Sequence, residues 1–371
     1  MTPPSKTFRC FTAVLGLLTP LLCAAQGFRG EPPRPLVSFQ VPQSQATYPL
    51  SINESGIITG YYISTSGLTS GFVRNQDGQI TTFTVPGAAA TVPVSINTAG
   101  DITGYSQLTT AAPATPQAFL RTPDGTLTTV AGNTYTGNGL TPVSINVAGE
   151  IIGNFPDQVE GPNIFISSPS GVVTTTTLSQ GALYPTLVTG LNASGAIVGY
   201  ASSASINFAQ GFLWDGQGPV PSPVSGAGLT GVSVTGSTGT FPTALNAGET
   251  VVGCYTVSGV YYDFVRDPTG VITTLDIPGT VPACIATYAL PLQVISVVPQ
   301  SITLNDQGTI TGYYTNAANV TVGFVRSDAG KLITFDHPGS TQTIPTSINN
   351  QDQITGYYSE GTAIIGFIRE P

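Results

Sequence analysis

Few residues in this chain combine the types and spacing that chemistry needs. His337 is the only histidine. A Ser–His–Asp triad would have to use it, yet no Gly-x-Ser-x-Gly elbow accompanies it, and it occupies a repeated slot shared with Val85 and Ile277. Asp157 and Glu160, in FPDQVEGPN, offer hard oxygen ligands for calcium, but their spacing matches no calcium loop. The pairs Tyr61-Tyr62, Tyr313-Tyr314 and Tyr357-Tyr358 fit a sugar platform or, more simply, packing along a strand. No catalytic residue, cofactor or metal site is assigned on these grounds. Phe155, Tyr184 and Tyr288 fall in long segments rich in Ser, Thr, Asn and Gly, and are the aromatics expected to stack on a ligand.

Cys254 and Cys284 remain as a pair if the N-terminal segment is removed, and in an exported chain a pair predicts a disulfide. That segment reads as a secretory signal over residues 1–25. Lys6 and Arg9 precede an apolar run, Phe11 to Leu22, and Cys23-Ala24-Ala25 offers small residues for cleavage. A lipid anchor at Cys23 is the alternative, disfavoured by Leu22. Removal leaves 8 basic against 19 acidic residues, net −11, which excludes a nucleic-acid surface. No later stretch is apolar and long enough to span a membrane as a helix.

Residue placement depends on a repeat. Phe72, Phe119, Phe165, Phe212, Phe264, Phe324 and Phe367 recur at intervals of 47, 46, 47, 52, 60 and 43 residues. An Asn followed seven residues later by Gly recurs in step, from Asn53/Gly60 to Asn349/Gly356. Each copy reads as four short strands, and this period is that of propeller blades. Pro49, Pro93, Pro142, Pro242 and Pro345 stand four residues before the Asn. Proline cannot donate to a ladder, so the first strand is expected at the inner edge. Asn-x-x-Gly then predicts a type I turn, with Asn246 and Asn349 departing because Gly248 comes early and Asp352 replaces the glycine. Asp77-Gly78, Asp124-Gly125 and Asp215-Gly216 predict tight turns before the fourth strand. Arg74, Arg121, Arg266, Arg326 and Arg369, two residues after the Phe, make either an anion-binding ring or stems packed between blades with heads on turn carbonyls; the second is expected.

The segment PLVSFQVPQ, Pro35 to Gln43, looks like a fourth strand, and the chain ends on a third, Gly366 to Arg369. The expectation is therefore all-β: a seven-bladed β-propeller of four-stranded antiparallel blades over residues 35–371, closed by the N-terminal strand completing the last blade. Residues 26–34 form a linker, and the protein is expected to be a monomer. With 8% charged residues, 40% hydrophobic residues, 44 Gly and 30 Pro, the composition is that of a turn-rich β domain.

The segments AFLRTPDG at Ala118 to Gly125, GFLWDGQG at Gly211 to Gly218 and SINTAGDITG at Ser95 to Gly104 carry a family resemblance. The chain resembles the HAF-type extracellular repeat proteins of bacteria, from about Pro35 onward. The resemblance implies secretion and a propeller, with no settled ligand or reaction. The leading His of that motif is replaced here by Gly71, by Gln117 before Ala118, or by Asp263. The functional expectation is a secreted binding or adhesion module that offers its long-loop face to a neutral glycan. The alternatives are a polysaccharide lyase or hydrolase, and a structural envelope or matrix role.

Overall fold

The computed structural model describes residues 34–108, 116–131, 139–157, 161–176, 186–203, 208–216, 228–281 and 301–371. The expected signal segment, most of the expected linker and Cys23 lie outside these residues. The described chain is all-β, with 28 strands and no helix.

Successive strands pair antiparallel in groups of four. The first group is Ser44–Ile52, Ile58–Ser64, Thr69–Arg74 and Ile80–Phe83. Equivalent units follow over residues 88–130, 141–176, 186–232, 239–274 and 302–335. The last unit has only three consecutive strands, Thr343–Ile348, Ile354–Glu360 and Ala363–Arg369. Its fourth partner is Leu36–Phe39, paired antiparallel from Leu36↔Arg369 to Phe39↔Gly366. The strand expected from Pro35 to Gln43 is therefore present where the two chain ends were expected to meet.

The first strand of each unit explains two sequence features together. In the five units with proline at this position, the register shifts just after it, as between Pro49 and Ser51 or Pro345 and Ser347. A bulge is one of the few places where a sheet tolerates a residue without an N–H. The bulged carbonyl side presses on the glycine of the second strand. A Cβ on Gly60 would collide with the Tyr48 carbonyl, and one on Gly356 with the Ile344 carbonyl, so only glycine fits.

First strands of neighbouring units bond to each other, which places them together at the centre. Thr189 donates to the Pro242 carbonyl at 2.8 Å, Thr243 to Ile302 at 2.9 Å, and Thr346 to Pro49 at 3.0 Å. At their ends the asparagines form a relay. Each Nδ2 donates to the backbone carbonyl of the next unit's asparagine: Asn53 to Asn97 at 3.0 Å, Asn97 to Asn146 at 3.1 Å, Asn146 to Asn192 at 3.3 Å, and Asn192 to Asn246 at 3.1 Å. It continues from Asn246 to Asn305 at 3.1 Å and Asn305 to Asn349 at 2.9 Å, and returns from Asn349 to Asn53 at 3.0 Å. Each Oδ1 accepts N–H groups of its own turn, as Asn192 does from Ser194 and Ala196. In the two departing repeats the left-handed turn position is taken by Glu249, φ 61°, and Asp352, φ 58°.

The recurrent phenylalanines fill the space between units. Phe72, Phe165, Phe264, Phe324 and Phe367 are wholly buried and Phe119 nearly so. Phe212 is only partly buried, packed against the cluster of Ile152, Ile164, Val188, Ile197 and Trp214. A fourth-strand ring from one unit inserts against the next: Phe39 lies edge-on to Phe72, Phe83 to Phe119 and Phe335 to Phe367, each with centroids 6.1 Å apart. Over the same rings sit Arg74, Arg121 and Arg369, at 5.0, 4.9 and 5.2 Å. All five arginines donate Nη1 to the carbonyl of the following residue. They are packed stems with heads on turn carbonyls, as expected, and not an anion-binding ring.

One turn departs from expectation. Asp215-Gly216 does not reverse the chain directly. The Asp215 N–H meets the Gly228 carbonyl at 3.1 Å, and the fourth strand is Leu229–Val232, so the connection is long where the sequence suggested a two-residue hairpin.

Stability variants should rank by what they leave empty or unpaired. Phe72→Ala should cost about 3–5 kcal/mol, Phe212→Ala distinctly less because it is only partly buried, and Asn192→Ala about 2–4 kcal/mol by orphaning buried turn N–H groups and the Asn246 carbonyl. Denaturant unfolding of the three checks the order; equal costs for Phe72→Ala and Phe212→Ala would contradict the packing account.

Candidate functional site

Two ends of the central region carry polar chemistry, and they differ. At the asparagine end a cavity of about 200 Å³ opens, lined in part by Ile52, Ile96, Ile145, Asn53, Glu54 and Asp306. Glu54 and Asp306 both follow relay asparagines, so the repeat itself brings two carboxylates to this mouth. Their oxygens bind turn groups of neighbouring units. Glu54 Oε2 accepts the Asn350 N–H at 2.9 Å, Asp306 Oδ2 accepts Asn350 Nδ2 at 2.9 Å, and Asp306 Oδ1 accepts the Ala247 N–H at 2.8 Å. Burial pushes the Glu54 carboxyl above its ordinary range; the Asn350 N–H opposes this and the charge of Asp306 adds to it.

At the opposite end, toward the connections between second and third strands, tyrosines gather. Tyr48 stacks on Tyr61 with centroids 4.7 Å apart and meets Tyr357 edge-on at 5.0 Å. Burial, the largest effect, pushes the phenols of Tyr61 and Tyr357 up, with a further push from neighbouring tyrosines, and that of Tyr313 to about 12, with a further push from Asp263. These hydroxyls stay neutral at physiological pH: they are hydrogen-bonding groups and not bases.

In the fifth unit this end carries an exposed apolar tip. The strands Val251–Val257 and Val260–Arg266 turn through Ser258 and Gly259, with Ser258 in the left-handed region at φ 52°. Val257, Val260 and Tyr262 are exposed, and Tyr262 is the one aromatic among the exposed large apolar side chains described. Its ring stacks on Tyr255, centroids 5.4 Å apart and planes 24° from parallel. Tyr255 is fixed in turn by a 2.8 Å hydrogen bond between its hydroxyl and Thr274. An exposed ring held by a stacked neighbour loses little freedom when a ligand packs on it.

The sequence-based site is only partly realised. Phe155 lies in the strand Ile151–Asp157 and is 1% exposed, packed with Ala118, Leu140, Ile145, Ile151 and Phe165. It is a core residue, because the strand runs further than its Gly-Asn-Phe-Pro sequence suggested, and it cannot stack on a ligand. Tyr184, Tyr288 and Cys284 lie outside the described residues, as does Glu160. Cys254 is wholly buried with Leu187, Tyr200, Ala209 and Phe241. Tyr313, Tyr314, Tyr357 and Tyr358 are buried, as strand packing required. His337 lies flat on Tyr358, centroids 3.8 Å apart, in a packing role. The Tyr255/Tyr262 platform was missed; its signal was the Val-Ser-Gly-Val hairpin, with tyrosines flanking it.

Among the described residues no group of three or more His, Cys, Asp or Glu could hold a metal, and no helix is long and apolar enough to cross a membrane. The fold is thus an all-β, propeller-like repeat assembly. A streptogramin B lyase resembles it over 91% of this chain and 98% of its own, with a TM-score of 0.56 and 14% identity. A puromycin hydrolase resembles it over 87% of this chain, with a TM-score of 0.52 and 14% identity, and this chain matches 52% of that enzyme's length. Identities this low speak for the fold alone. No family model and no curated protein matches the sequence.

The raised Glu54 value gives a signed pH effect. A carboxyl that holds its proton more tightly folded than unfolded loses stability as pH rises from the ordinary carboxylate range through the folded value, and is flat above it. Glu54→Gln removes that loss while keeping an acceptor for Asn350. In thermal melts from pH 4 to 8, the variant should gain on the wild type with rising pH and then plateau; a wild type that gains on the variant would refute the assignment.

Proposed function

We propose that the chain is an exported, monomeric, seven-bladed β-propeller that binds a neutral glycan on the face bearing Tyr255, Tyr262 and the Tyr48/Tyr61/Tyr357 cluster. The observation that carries this reading is the Tyr262 side chain, 39% exposed and stacked on Tyr255. Around it are apolar and neutral hydroxyl groups, which suit a sugar's two chemistries: a C–H face that stacks and hydroxyls that hydrogen-bond. The net charge of −9 disfavours an anionic polymer. The pairing of Leu36–Phe39 with Ala363–Arg369, and the return of the asparagine relay to Asn53, support a closed ring of blades. A disulfide between Cys254 and Cys284 belongs to the same proposal, and would tie this face together beside Tyr255.

Closure is tested by deleting residues 35–43. The seventh blade then lacks its outer strand, and the whole domain should melt lower, by about 5 °C or more, in one cooperative transition. A small early transition with the main one unmoved would mean the last unit frays independently.

Binding is tested by a glycan array with the mature chain and its Tyr262→Ala and Tyr48→Ala variants. Wild-type binding that falls at least tenfold in Tyr262→Ala is the expected outcome, about 1.4 kcal/mol or more for one lost stacking face. Binding equal in all three proteins would remove this platform from the site. The second reading, a lyase or hydrolase, rests on Glu54 and Asp306 sharing one cavity mouth. Cleavage of a glycan by the wild type but not by Glu54→Gln would replace binding with catalysis.

A further inference from the structure

The contact between neighbouring units follows one pattern at three junctions and takes a charged residue at one other. At the first junction a Cβ on Gly71 would lie 2.7 Å from the Phe83 ring and 2.8 Å from Pro93 Cγ. Gly366 stands in the same way against Phe39 and Pro49, and Gly323 against Phe335 and Pro345. Glycine, a fourth-strand phenylalanine and the next unit's proline therefore fill one space. Elsewhere the glycine position is Gly, Ala or Ile, but between the fifth and sixth units it is Asp263, which precedes Phe264 as Gly71 precedes Phe72. The other two positions change with it. Leu275 follows Thr274 where Phe83 follows Thr82, and Ser301 stands four residues before Asn305 in the proline slot. A smaller apolar side chain and a serine thus replace the two groups that would have closed on a glycine.

The result is a set of buried polar oxygens inside an apolar junction. Asp263 and Ser301 are both 0% exposed. Neither carboxyl oxygen of Asp263, nor Ser301 Oγ, has a hydrogen-bond partner. Tyr313 adjoins them, its N–H bonded to the Ser301 carbonyl at 3.1 Å. Val252, Leu275, Ile302 and Tyr314 pack together in the same junction. Buried oxygens of this kind are normally paired or bound to a cation.

We propose that these oxygens form a binding site for one monovalent alkali cation, Na⁺ or K⁺, held by the Asp263 carboxylate and Ser301 Oγ. Charge selects the ion. One carboxylate neutralises one unit charge, whereas a divalent ion would leave net charge buried among apolar side chains. Ligand type agrees, since the orphan atoms are hard oxygens. Proton and cation compete for the same atoms, and burial favours the protonated carboxyl when no cation is present. The titratable group that couples to Asp263 is Tyr313 on the sixth unit, neutral with its phenol pushed up to about 12. Occupancy should therefore rise with pH.

The test is thermal unfolding of the mature chain in NaCl, KCl and choline chloride at equal ionic strength, at pH 6 and pH 8, for the wild type and Asp263→Asn. At pH 8 an alkali salt should raise the wild-type Tm by about 2–4 °C over choline, less at pH 6, and not in the variant. Equal melting in all three salts, or an alkali response that survives in Asp263→Asn, would overturn the proposal, as would stabilisation by Ca²⁺ alone. Should that variant fail to fold, ²³Na line broadening gives an independent reading. Broadening by the wild type that falls in Ser301→Ala and on acidification supports the site; broadening equal in both proteins refutes it.

Discussion

The side-chain amide of the recurrent asparagine is the interaction on which this architecture depends. Each one satisfies its own turn through Oδ1 and the neighbouring unit through Nδ2, so local and long-range order share a single residue. An aspartate would keep the first role and lose the second; a lysine would lose the first. That dual demand accounts for an uncharged amide in all seven units, buried at 1–6% exposure. The polarity is fixed as well. Six bonds run from one unit to its successor in sequence and the seventh from the last unit to the first, so the relay has a direction and neighbouring units meet by one rule.

Outward from that relay, the same logic is carried by different groups. Thr and Ser hydroxyls bond the first strands to one another. Farther out, phenylalanine rings from one unit lie between a phenylalanine and an arginine of the next. The guanidinium does not act as a free charge here: its stem covers an aromatic face and its head closes the following turn. A chain with 8% charged residues can thus spend half of its 10 basic residues on packing.

Much of this was legible in the sequence because the repeat displays it seven times. Four strands per unit, the glycine of close approach, the Asn-led turn and the packed arginines each followed from a residue type at a fixed offset. Failures came where one copy differs. Phe155 reads as a loop aromatic because Pro156 and the polar residues after it suggest a break, yet pairing to Asn163 and Pro162 carries the strand onward. Asp215-Gly216 has the composition of a tight turn, but pairing is decided by where Leu229–Val232 finds its partners on Phe212 and Trp214. Tyr262 was passed over because exposure, unlike periodicity, is not written in a two-residue pattern. The paired loss of phenylalanine and proline opposite Asp263 was visible in the alignment of repeats, but its meaning required knowing that the three positions share one space.

The strand Leu36–Phe39 has a kinetic consequence. Ser38 bonds the Tyr358 hydroxyl at 2.9 Å across 320 residues of sequence, so an early segment of the chain must wait for a late one. Contacts this distant in sequence carry the largest loop-closure cost and form last. During synthesis, Leu36–Phe39 is an unpaired apolar strand, and the edge it will occupy on Ala363–Arg369 does not yet exist. Until the final strand arrives, the chain presents a strand in search of an edge, which is also how neighbouring copies could pair wrongly. Val37, 48% exposed on that strand, and its short length of four residues limit how strongly such mispairing would hold.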